Sequence, residues 1–207
     1  MRAVTVIKPL LFLACLVPLA LLGVDAWHDR LGANPIETIT HVTGDWTLRL
    51  LLITLGVTPL RRLTGWNALL RLRRMLGLFA FFYACLHFST WLVLDQFFYW
   101  PGIVEDIAER PFITVGFASF LMLIPLAVTS TNGMVRRLGA KRWQALHRLV
   151  YAIAIGGVLH FLWLVKKDLT EPLLYAAILA VLLGYRVAVR VRKFGKPDAA
   201  AQRPIKL

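Results

Sequence analysis

Along this chain the apolar residues gather into six long blocks parted by short polar stretches, at about residues 7–24, 46–60, 75–94, 112–129, 149–165 and 173–188. Each block reaches or approaches the roughly 20 apolar residues that an α-helix needs to cross a bilayer. The pattern predicts an all-α fold, a polytopic membrane bundle of six transmembrane helices. Residues 1–194 read as that membrane domain and 195–207 as a flexible, basic tail. Pro9 and Pro18 lie inside the first block, but neighbouring helices can satisfy the backbone groups a proline frees. Arg2 and Lys8 ahead of an apolar run also fit a signal peptide, and the block is kept here as the first helix.

Turn signals punctuate the blocks. Asn34-Pro35 reads as a turn in an outer loop, Thr43-Gly44-Asp45 as the start of the second helix, and Asn132-Gly133 as the stop after the fourth. Thr58-Pro59 closes the second span.

Charge then orients the bundle. With six spans, Arg2, Lys8, Arg61, Arg62, Arg71, Arg73, Arg74, Arg136, Arg137, Lys141, Arg142, Arg148 and the basic tail share one side, the cytoplasmic one. Almost every carboxylate falls on the other. Both termini are therefore expected inside. The net charge of +13 is explained by topology and anionic membrane lipid, so no nucleic-acid partner is needed. Cys15 and Cys85 fall within spans as small core residues, and the chain has neither a disulfide framework nor zinc-ligand spacing.

Candidate chemistry centres on histidines inside spans, where an ionisable side chain usually faces the bundle interior and marks a ligand or proton site. His87 in the third block lies about 20 Å past Arg74 and about 12 Å before Asp95, and His160 in the fifth lies about 9 Å before Lys166. The two imidazoles match in depth on separate helices, the arrangement of paired axial ligands to haem iron. Gly156 and Gly157, one turn before His160, and Ala84, one turn before His87, leave small faces where a macrocycle can lie close. The competing reading of the two glycines is tight helix packing.

His147 lies about 220° around an ideal helix from His160, so one face does not carry both. With Arg148, Arg73 and Arg74 it suggests a site for an anionic or quinonoid cofactor, a flavin or a quinone, near the basic side. Met75 reads as packing. His28 and His41 fall in the first outer loop as solvated or interfacial residues. The loop at 95–110 is acidic and aromatic, suited to an outer partner carrying a positive patch.

RRMLGL with the downstream His87, the block TSTNGMVRRLGAKRWQALHRLVY, and a histidine 13 residues after His147 resemble the ferric-reductase-like transmembrane superfamily. Within it they are similar to the MsrQ (YedZ) family over nearly the whole chain. The resemblance implies a b-type haem protein, with FMN also bound, and names His87 and His160 as ligands of the outer haem. It further implies electrons taken from the quinone pool or a cytosolic flavin reductase and passed to a periplasmic molybdopterin methionine sulfoxide reductase. His147 matches the first histidine of the superfamily's fifth-span pair, but Arg73, Arg74 and Met75 stand where its inner partner would be. A second haem and a quinone both stay open there. An electron-transfer subunit and a haem-binding scaffold or sensor without redox turnover are the two function classes; a transporter is disfavoured because no internal repeat is visible in the sequence.

Overall fold

The computed structural model describes residues 2–194, and the expected tail at 195–207 lies outside them. Among the described residues nine α-helices follow one another: α1 (Arg2–Trp27), α2 (Pro35–Thr64), α3 (Leu70–Ser89), α4 (Trp100–Glu109), α5 (Pro111–Val128), α6 (Asn132–Leu138), α7 (Ala140–His147), α8 (Leu149–Leu164) and α9 (Thr170–Phe194). A 3₁₀ turn at Asn67–Leu69 leads into α3, and a π-helical turn at Thr90–Asp95 carries it on past His87.

Five stretches of the described residues are helical, long and apolar enough to cross a membrane: Thr5–Trp27, Asn67–Asp95, Pro111–Val128, Ala140–Leu164 and Thr170–Arg192. The sixth expected span, 46–60, lies within α2. That helix has 30 residues, about 45 Å, but Asp45, Arg49 and its threonines dilute its apolar character. Its place in the bundle explains how it tolerates them. α2 is the central helix, with Leu48, Leu50, Leu51, Leu52 and Leu55 all buried. The hydroxyls of Thr43, Thr47 and Thr54 donate to the carbonyls of Ile39, Thr43 and Leu50, which satisfies them within their own helix.

α2 also begins earlier than its sequence suggests. Asn34 is its N-cap, accepting from the Glu37 N–H at 3.3 Å, and Pro35 opens the first turn. A proline suits that position because its missing N–H has no helical partner there anyway. Asn34-Pro35 thus starts a helix rather than turning a loop, and Thr43, Gly44 and Asp45 sit inside it. Gly65 ends α2 in the left-handed region, φ 70°, with its N–H donating to the Arg61 carbonyl at 2.9 Å.

Two antiparallel pairs, α2 with α3 and α5 with α8, pack most extensively. α9 is fastened to α2 at both ends: Arg49 Nε donates to Tyr175 Oη at 2.7 Å, and Arg186 donates to the Leu55 carbonyl. α1 is fastened by Tyr83. Near Pro18 the hydroxyl of Tyr83 accepts from the Leu19 N–H at 3.2 Å and donates to the Cys15 carbonyl at 2.8 Å, standing inside the i to i−4 ladder of α1. Cys15 is buried and Cys85 half-buried, and both are free thiols.

Candidate functional site

His87 and His160 face each other across the bundle, ring centroids 6.0 Å apart and ring planes at 80°. Each imidazole is held from the helix its own helix packs against. Nδ1 of His87 lies 3.0 Å from the Thr40 carbonyl on α2, and Nδ1 of His160 lies 2.7 Å from the Phe112 carbonyl on α5. A carbonyl oxygen can only accept, so both Nδ1 atoms carry the proton and both Nε2 atoms keep a lone pair for a ligand.

The close approach depends on two glycines, each four residues past the accepting carbonyl. A Cβ on Gly44 would lie 3.0 Å from Cε1 of His87, and one on Gly116 would lie 2.6 Å from Nδ1 of His160. Carbonyl i and glycine i+4 on α2 cradle His87; the same device on α5 cradles His160. The two helix pairs therefore form a structural repeat that the sequence does not reveal.

Between the imidazoles lies a cavity of about 340 Å³. Its walls include Leu48, Leu51, Ala84, Ile153, Gly157 and a stack of Phe117, Phe88 and Phe120, with Phe88 and Phe120 centroids 4.7 Å apart. Asp45, Asp95, Arg110 and His41 bring polarity to it. A metal bonded to two facing imidazole nitrogens at about 2 Å each sets the ring centroids about 6 Å apart. Among the described residues no group of three or more His, Cys, Asp or Glu side chains could cage an ion. This pair thus suits a metal that brings its own equatorial ring, and the apolar and aromatic walls suit the face of such a ring.

Of the two glycines expected beside a macrocycle, Gly157 lines the cavity. Gly156 does a different job, because a Cβ there would collide with the Ser119 hydroxyl on α5, so it sets the close packing of α8 on α5. His41 stands on the cavity wall, 3.9 Å from Glu37, rather than out in a loop. His28 is exposed, its Nδ1 donating to Val24 O at 2.8 Å. Met75 packs against the core.

Arg73, Arg74, His147 and Arg148 also come together, as walls of a second cavity of about 1120 Å³ at the opposite end of the bundle. Arg62, Arg186 and Arg190 join them, and no carboxylate is among the described lining residues. His147 stacks on Trp143 at 3.9 Å, and its Nε2 lies 3.0 Å from Thr129 Oγ1. That hydroxyl already donates to the Pro125 carbonyl at 2.6 Å, so Nε2–H of His147 is the donor and Nδ1 keeps the lone pair. His147 therefore has the opposite tautomer to the facing pair. Leu51 and Leu123 line both cavities, which a single layer of side chains separates.

Gly44, Gly116, Arg110 and Arg186 were not legible as site residues from sequence alone, whereas Arg62 belongs to the basic stretch 60–74, whose arginines suit a lipid or flavin phosphate. The only available signal was a glycine close to the outer end of each span that accompanies a histidine-bearing one. Residues 43–158, which include His87, Gly44, Gly116 and His147 and end two residues before His160, match the family model for the ferric reductase like transmembrane component. A protein from Herminiimonas arsenicoxydans, named protein-methionine-sulfoxide reductase heme-binding subunit MsrQ, is 58% identical over 95% of this chain and 91% of its own. The chain belongs to the MsrQ family. Relatives bearing the same name in Azospira oryzae and Rhodospirillum rubrum are 55% and 57% identical, over 94% and 89% of this chain and 84% and 90% of theirs.

Proposed function

We propose that this chain is a membrane electron-transfer subunit that holds a b-type haem between His87 and His160 and serves a methionine sulfoxide reductase. The observation that carries the reading is the pair of imidazoles 6.0 Å apart, each with Nδ1 spent on a carbonyl and Nε2 left to bind iron. The relatives' name, a heme-binding subunit, supports it. Bound there, haem would supply a one-electron carrier. The protein's part is to fix the ligands' orientation, exclude water with the phenylalanine stack, and keep both imidazoles neutral donors.

In this reading α2 also crosses the bilayer, giving six spans with both termini in the cytoplasm of a bacterial inner membrane. The basic residues at 61–74 and 136–148 support that orientation. The arginine-lined cavity then opens toward the cytoplasm and takes a flavin such as FMN or a quinone headgroup, since its guanidinium groups suit a phosphate or polarise a quinone oxygen. Electrons enter there from the quinone pool or a cytosolic flavin reductase. They leave from the outer haem to a periplasmic molybdopterin subunit, on which the sulfoxide chemistry takes place.

The test uses the purified full chain with its haem and flavin counted. Reduction of the haem by a quinol analogue or reduced flavin supports turnover, and haem that neither donor reduces makes the chain a scaffold. Replacing Arg74 and His147 together should lower flavin content and donor-driven reduction; parent levels of both place the donor site elsewhere.

A further inference from the structure

Arg110 stands at the joint between α4 and α5, on the wall of the His87–His160 cavity. Its Nε lies 3.2 Å from Oδ1 of Asp106, and Oδ2 of Asp106 accepts from Gln96 Nε2 at 2.7 Å. Asp106 is 7% exposed, although it belongs to a short helix whose other carboxylates, Glu105 and Glu109, are exposed. The Arg110 side chain itself is 56% exposed, and an ion pair with one partner this open to solvent adds little net stability. A clamped guanidinium is better explained by what it presents. With Nε bound to Asp106, the Nη edge of the fork is left for a second planar acceptor.

The other charged walls of the cavity narrow the choice of that acceptor. Asp45 is already paired with Arg49 Nη2 at 3.1 Å, and Asp95 repels anions. A ligand carrying carboxylates would be stabilised at Arg110 and opposed at Asp95. We infer that Arg110 is the anchor for a carboxylate of the cavity's occupant, a haem propionate, and that Asp106 and Gln96 are the positioning residues that aim it. The inference rests on the functional reading above and extends it to how the ring is registered between the two histidines.

The experiment uses the full chain purified with haem whose propionate carboxylates carry ¹³C, introduced by feeding labelled aminolevulinate. Isotope-edited infrared spectra of parent, Arg110→Gln, Arg110→Lys and Asp106→Asn read the carboxylate stretch, and transfer of haem to excess apomyoglobin reads its retention. Arg110→Gln should shift the band and speed haem loss about tenfold or more, the loss expected for one charge-assisted hydrogen bond. Asp106→Asn should do the same to a smaller degree, and the bis-imidazole absorption should persist in both. If Arg110→Gln does not accumulate, Arg110→Lys keeps the charge without the fork and should still shift the band. An unshifted band and parent-rate haem loss in the variants that accumulate would overturn the inference alone. A parent that purifies without haem overturns the functional reading and this inference together.

Discussion

Gly116 lies under His160 so closely that a Cβ at that position would fall 2.6 Å from Nδ1, inside any real carbon–nitrogen contact. The same addition at Gly44 would meet the His87 ring at 3.0 Å, which a small shift can relieve. Gly116→Ala is therefore expected to displace its imidazole and break the 2.7 Å bond to Phe112, with a large change in the low-spin haem spectrum. Gly44→Ala should produce a smaller change of the same kind. Absorption spectra of the two variants check the order, and equal, parent-like spectra would show that neither glycine constrains a ligand.

How much of this was readable in advance differs from residue to residue. Depth along two apolar blocks was enough to pair His87 with His160, because helical rise converts sequence distance into position in a bilayer. The cluster of Arg73, Arg74, His147 and Arg148 was legible for the same reason. The glycine cradles were not, since what lies against Gly44 or Gly116 is decided by another helix. Asn34-Pro35 misled because the same dipeptide serves as a turn or as a helix start. Asp106 reads as one more acidic residue of an outer loop; only the i, i+3 placement with buried Ile103 on α4 hints that it points inward.

Tyr83 is expected to matter for stability and not for the haem site. Tyr83→Phe leaves the Leu19 N–H and Cys15 carbonyl without the hydroxyl that bridges them, at a cost of about 1–3 kcal/mol. Thermal unfolding of the detergent-solubilised protein should show a lowered midpoint with the haem spectrum retained. An unchanged midpoint would mean that α1 recloses its own ladder.

The outer acidic loop makes a prediction that the structure sharpens. Glu105 and Glu109 are exposed and available to steer a partner, whereas Asp106 is committed to Gln96 and Arg110. If the proposed electron transfer to an outer partner docks here, replacing Glu105 and Glu109 with glutamine should slow it at low salt, with the defect shrinking as salt rises. Reduction of the haem by its donor should be unaffected. Equal low-salt rates for parent and variant would move the docking surface away from α4.

The central claim is that His87 and His160, through their Nε2 atoms, are the two axial ligands of one haem. Low-temperature electron paramagnetic resonance of the ferric protein reads this directly, on the parent and on His87→Ala, His160→Ala and His28→Ala. Ring planes at 80° predict a strongly anisotropic low-spin signal in the parent, because near-perpendicular imidazoles leave the iron d orbitals almost degenerate. That signal should disappear in either site variant and persist when the exposed His28 is replaced. A low-spin signal that survives unchanged in both His87→Ala and His160→Ala would contradict the account.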